Sequence, residues 1–160
     1  MTWTIIGIFS AANFAAASSG GIFKPGDWYE TLKKPSWVPP NWAFPVVWSV
    51  LFLMNAYAGA LAWTEAGTQR PSLPFIVYGV SLLLNFAWSA IFFGMRRMDY
   101  AFAELCIFWL SLLAQIVLFA SISPLASLLG VPYIVWVTIA GALNIKMLHL
   151  NDGKGAQTAT

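Results

Sequence analysis

Residues 105–145 read LCIFWLSLLAQIVLFASISPLASLLGVPYIVWVTIAGALNI, 41 residues without a charge. A helix that crosses a bilayer needs about 20 apolar residues, each rising about 1.5 Å. The stretch is therefore two crossings. The break falls at Ser121–Ile122–Ser123–Pro124, because proline lacks a backbone donor and restricts the residue before it. Barrel strands would instead alternate over about ten residues.

The same measure, carried outward, divides the rest of the chain. Met1 to Phe23 is uncharged, Pro35 to Thr64 is uncharged, and so is Phe75 to Met95. Pro35, Pro39, Pro40 and Pro45 prevent a continuous helix before about Pro45. Glu65 to Pro74 reads as a loop, and Arg96–Arg97 with Asp99 as a charged turn. Five spans are expected, at about 3–23, 44–64, 75–95, 99–120 and 125–148. They form one all-α transmembrane domain over 1–150, with a loop at 24–43 and a short polar tail at 151–160. Pro132 is placed to kink the fifth span near its start. The first span has a small-residue run at Ala15–Ala16–Ala17, but no Lys or Arg precedes it, so it reads as a membrane helix rather than a signal peptide.

Composition agrees. Of 160 residues, 59% are hydrophobic and 9% charged, with a mean hydropathy of +0.72. Soluble chains run at about 45–50% apolar and about 25% charged. A soluble enzyme, a disordered chain and a secreted disulfide scaffold are excluded on these grounds. Cys106 is the only cysteine, so no disulfide forms within the chain. The net charge of +2 is too small for a nucleic-acid partner; the expected partner is the lipid bilayer.

Five spans put the 24–43 loop, the 96–99 turn and the C-terminus on one side. That side holds Lys24, Lys33, Lys34, Arg96, Arg97, Lys146 and Lys154; the other holds Arg70 alone. The positive-inside rule then expects the C-terminus in the cytoplasm and the N-terminus outside, and the cell membrane of a bacterium is the expected location.

The chain carries nine Trp, more than an interface belt needs in so small a protein. Four aromatic residues, Trp28, Tyr29, Trp37 and Trp42, sit in the 24–43 loop. Asp27 with Glu30 reads as a capping box opening a short helix to about Leu32. The loop should fold back onto the helix ends, either as an interfacial anchor or as a lid over a cavity between the helices. Both readings stand on the residues alone.

Trp28–Tyr29, Lys34–Pro35–Ser36–Trp37 and Pro39–Pro40–Asn41–Trp42 resemble the first loop of the translocator protein family, also called tryptophan-rich sensory proteins or peripheral-type benzodiazepine receptors. Further matches follow in order: Pro45–Val46–Val47–Trp48, Leu84–Asn85–Phe86–Ala87–Trp88, Ile91–Phe92–Phe93–Gly94, Trp109, Pro132–Tyr133, Trp136, Ala140 and Leu143–Asn144. The resemblance implies a five-helix membrane bundle, often a homodimer. It implies a pocket under the first loop for porphyrins such as protoporphyrin IX, sterols and benzodiazepine-type ligands. It offers transport, sensing and light-dependent porphyrin breakdown as activities. No cofactor is required; a porphyrin enters as ligand.

Positions three and four apart share a helix face. Tyr133, Trp136, Ala140, Leu143 and Met147 form one stripe; Ser81, Asn85, Trp88, Ser89 and Phe92 another; Cys106, Trp109, Leu113 and Ile116 a third; Trp48, Phe52 and Tyr57 align roughly. The ring faces can stack on a planar ligand. The expected ligand-binding residues are Trp28, Trp37, Trp42, Trp48, Asn85, Trp88, Trp109, Tyr133, Trp136, Ala140 and Leu143. Asn85 is the better polar handle because it shares a face with Trp88, whereas Asn144 reads first as an interhelical hydrogen bond. Gln115 reads as packing or contact between subunits. The small-residue stripes Gly7–Ala11–Ala15–Ser19 and Ala12–Ala16–Gly20 read as bundle packing. Lys33, Lys34, Arg96 and Arg97 can pair with the carboxylates of a porphyrin, but setting topology is the preferred reading.

Two departures bear on the ligand. Many animal members place a Tyr after Leu-Asn and an Arg four further on; here those positions are Ile145 and His149. This weakens the case for a sterol. No catalytic set and no metal cluster is visible: His149 is the lone histidine, Cys106 has none near it, and Glu104 lies near a span edge. Acid–base and hydrolytic chemistry are disfavoured, and Trp-mediated photochemistry on a bound porphyrin stays open. The span centres carry no ionisable group, which argues against proton-coupled export. The leading reading is a receptor or transporter-like protein that senses porphyrins or passes them on. The alternatives are a light-dependent porphyrin-degrading enzyme and a passive sterol or lipophile translocator.

Overall fold

A computed structural model describes residues 1–68 and 70–151. The expected tail from residue 152 onward, including Lys154, lies outside them. The helices are α1 (Trp3–Ala17), α2 (Ser19–Ile22), α3 (Asp27–Thr31), α4 (Ala43–Glu65), α5 (Ser72–Ser89), α6 (Met98–Ala120) and α7 (Pro124–Leu150), with a π-helical turn at Ala90–Gly94 continuing α5. Five helical segments are long and apolar enough to cross a membrane: Trp3–Ile22, Ala43–Glu65, Ser72–Gly94, Met98–Ala120 and Pro124–Leu150. The fold is an all-α, five-span membrane bundle.

Local chemistry sets the ends. Thr2 caps α1, its hydroxyl accepting from the Ile5 N–H at 3.4 Å. Ser123 caps α7 through the Ala126 N–H at 3.3 Å, with Pro124 in the first turn, where a missing donor costs nothing. Pro45 sits in the first turn of α4 for the same reason. Helix α7 runs through Pro132 without a break. The capping box does not form. Gly26 is the N-cap of α3, so Asp27 and Glu30 meet the helix start as first-turn charges rather than as a reciprocal cap. Sequence reasoning also missed the division of the first span at Ser18.

Helix α1 packs through Phe9, Asn13 and Ala16. The Gly7–Ala11–Ala15 stripe, read as bundle packing, is exposed instead. On α6 the inner face is Ala101, Leu105, Phe108, Leu112, Gln115 and Phe119. The Cys106–Trp109–Leu113 stripe turns outward, with Cys106 and Leu113 exposed.

A polar network pins the half of the bundle away from the long loop. The Asn13 amide donates to the Tyr78 hydroxyl, and Asn55 donates to Asn13 Oδ1 at 3.0 Å. Tyr78 donates to the Asn55 carbonyl at 3.2 Å. Gln115 donates to Asn55 Oδ1 at 2.9 Å, and the Ser81 hydroxyl to Gln115 Oε1 at 2.9 Å. All five residues are buried, and they join α1, α4, α5 and α6. Gln115 therefore packs inside one chain rather than between subunits.

Candidate ligand cavity

The opposite half is open. A cavity of about 680 Å³ lies between α1–α2, α4, α5 and α7, under the loop that carries α3. That volume suits a drug-sized molecule. The wall is aromatic because the helices bring their Trp and Phe to the same depth. Trp48 leans on Phe52 with centroids 5.7 Å apart, Trp88 stacks on Phe92 at 5.0 Å, and Phe44 meets the Trp136 ring edge-on at 5.9 Å. The π turn lets Phe92 and Phe93 both reach the wall; a wider turn of this kind is frequent at functional sites.

Of the sequence-derived site residues, Trp48, Asn85, Trp88, Trp136, Ala140 and Leu143 line the cavity. Five lie elsewhere. Tyr133 forms a second layer, fully buried, with its ring edge-on to Trp48 at 5.9 Å. Trp109 turns away, its indole N–H donating to Thr138 Oγ1 at 2.8 Å. Trp28 backs the wall through Phe92 at 5.9 Å. Trp37 and Trp42 face outward, 50% and 69% exposed. The loop thus divides its aromatic residues: Trp28 and Tyr29 cover the bundle, while Trp37 and Trp42 suit an interface.

Asn85 is nearly buried at the cavity wall, and its amide makes no hydrogen bond among the described residues. It is a polar group available to a ligand. Asn144 also lines the cavity: its amide donates to the Met98 carbonyl at 2.8 Å, while its Oδ1 is buried without a partner among the described residues. Ser19 and Ser89 also line the wall and bond to each other at 3.2 Å. The indole N–H groups of Trp88 and Trp136 are buried without a partner among the described residues.

The roof comes from Lys24, Pro25, Tyr29, Glu30, Val38 and Asn41, all in the 24–43 loop for which a lid was one of two readings; none of the six was among the expected ligand-binding residues. It rests on an apolar cluster of Tyr29, Leu32, Phe92, Met98, Ala101 and Met147. Burial, and then the Glu30 carboxylate, push the Tyr29 phenol above its ordinary value. Of the cations considered for ligand carboxylates, two are engaged within the chain. Arg97 grips Asp99 with two bonds of 2.8 and 2.6 Å and lies over the Tyr100 ring. Lys34 bridges Glu30 at 3.6 Å and lies over the Tyr29 ring. Lys33 and Arg96 are exposed and outside the wall, so the cation at the rim is Lys24.

A family model described as the TspO/MBR family matches residues 5–150. Protein CrtK of Rhodobacter capsulatus is 42% identical over 155 residues, covering 96% of this chain and 97% of the relative. The tryptophan-rich sensory protein of Cereibacter sphaeroides is 40% identical over 152 residues, covering 94% of each. The human translocator protein is 38% identical over 150 residues, covering 91% of this chain and 89% of the relative.

Proposed function

The chain belongs to the TspO/MBR family, and from that premise we propose that it binds porphyrins or related planar hydrophobic molecules in the cavity under its first loop, and senses them or passes them on. The observation that carries this reading is the cavity: about 680 Å³, aromatic on three helices, with the Asn85 amide and the Asn144 Oδ1 as polar groups in its wall. Flat apolar ligands suit such walls, because offset stacking adds to the burial of their faces. The names sensory protein and translocator protein, borne by relatives, support the two roles. Lys24 at the rim suits a ligand that keeps an anionic group at the surface. The cation-rich side, which includes the loop, is taken to face the cytoplasm of a bacterial cell, and the working unit is taken to be a homodimer.

A second reading rests on Trp48, Trp88 and Trp136, whose indoles flank the space a porphyrin would occupy. Light absorbed by the bound porphyrin would then lead to its modification. One experiment separates these readings: protoporphyrin IX is added in light and in darkness, and absorbance and Trp fluorescence are followed. Saturable quenching with an unchanged ligand is the expected result. New products only in the light favour the enzyme, and no quenching removes the tetrapyrrole reading.

A further inference from the structure

The roof is fastened at one point that its aromatic packing does not explain. Asn151 follows the last residue of α7. Its side-chain amide donates to the Lys33 carbonyl at 3.0 Å, and its Oδ1 accepts from the Lys33 N–H at 3.0 Å. The same amide nitrogen donates to the Met147 carbonyl at 2.8 Å, which ties it to its own helix. One side chain thus pairs with both polar groups of a single loop residue 118 positions away. The Lys33 side chain takes no part in these bonds. On either side, Leu32 and Pro35 are buried.

This placement has a mechanical consequence. The loop roofs the cavity through Tyr29, Glu30, Val38 and Asn41, so a ligand of several hundred cubic ångströms that enters from this side passes only if the loop lifts or slides. Apolar contacts are non-directional and tolerate sliding. A two-point hydrogen-bonded pair is directional and is lost when its geometry is lost. We propose that Asn151 is the latch of this lid, and that its release from Lys33 is the step that admits and frees the ligand. The proposal rests on the cavity being a ligand site, and it adds the residue that sets the rate of exchange.

A latch equally closed with and without ligand alters both rates and leaves the equilibrium nearly alone. Protoporphyrin IX serves as probe on the full chain in nanodiscs, with stopped-flow Trp quenching as the readout. Asn151→Ala is expected to raise the association and dissociation rates together, by about tenfold for two lost hydrogen bonds, with Kd nearly unchanged. Without ligand, hydrogen exchange over residues 27–35 should rise by a similar factor.

A second variant reverses the effect. Lys33→Cys with Asn151→Cys, in a Cys106→Ser background, is bridged by a short reducible bis-thiol reagent. Bridging should stop uptake, and reduction should restore it; Lys33→Cys alone should behave as wild type. Unchanged binding rates in Asn151→Ala, a Kd weakened through faster dissociation alone, or normal uptake by the bridged protein would each overturn the latch. Absence of quenching in the wild type would overturn the binding reading and the gate with it. Quenching at rates indifferent to Asn151 would overturn the gate alone.

Discussion

Gly20 and Gly21 line the cavity, yet neither packing nor backbone conformation requires a glycine there. A Cβ built on either meets nothing within 4 Å, and neither has a positive φ. Glycine in a helix costs about 1 kcal/mol relative to alanine, so the space itself is what these residues provide. Gly20→Ala and Gly21→Ala should leave thermal stability equal or slightly raised. Gly21→Leu should also fold, and should weaken porphyrin binding about tenfold, equivalent to about 1.4 kcal/mol. Fluorescence titration beside a melting curve checks this; full affinity in Gly21→Leu would show that the ligand does not reach this wall. Gly59 is the opposite case. Its Cβ would overlap the Phe9 ring and fall 2.9 Å from the Tyr78 ring. Gly59→Ala should therefore destabilise by about 1–3 kcal/mol, the usual cost of overpacking, read as a lowered Tm with ligand affinity retained.

At the scale of the elements, the spans were legible because lipid demands length, and length is counted directly. Their inward faces were legible only where polar residues marked them. In a bilayer the lipid-facing side is as apolar as the core, so hydrophobic periodicity does not distinguish them. The Ser81–Asn85–Ser89 face was read correctly for this reason, while the Cys106–Trp109–Leu113 stripe turned out to face away from the core. Asn13 and Asn55 carried the same polar signal and were overlooked, though both are buried at the centre of the network. The roof residues Lys24, Glu30 and Asn41 gave no sign, because loop geometry is set by what the loop lands on. The docking of α3 has its own signature. Tyr29 is neutral in the docked loop, and its phenol is raised above the ordinary 10.0 by burial and then by Glu30. The ionised form is favoured only after release. Docking is therefore fully present below pH 10 and weakens as pH rises through the raised value. A tyrosinate difference spectrum between wild type and Tyr29→Phe should show a late-titrating phenol; one titrating at the ordinary value would mean that α3 is not docked.

Across the whole molecule, the bundle separates into a pinned half and an open half. Asn13, Asn55, Tyr78, Ser81 and Gln115 hold four helices together at one end, and the space under the loop separates the helices at the other. A membrane bundle gains little from apolar burial between helices, so directional bonds and close packing carry its cohesion. A cavity removes packing, and the network is placed to compensate at a distance from it. The two halves should then respond independently. Asn55→Leu leaves partners on Asn13 and Gln115 unpaired and should cost about 1–2 kcal/mol, in line with interhelical bonds in lipid. Denaturant titration in mixed micelles would read that loss, and porphyrin affinity should stay within about twofold of wild type, less than 0.5 kcal/mol. Trp136→Ala, at the cavity wall, should do the reverse and weaken binding with a smaller effect on the pinned half. Stability and affinity falling together in both variants would show a single cooperative bundle in which network and cavity are not separable.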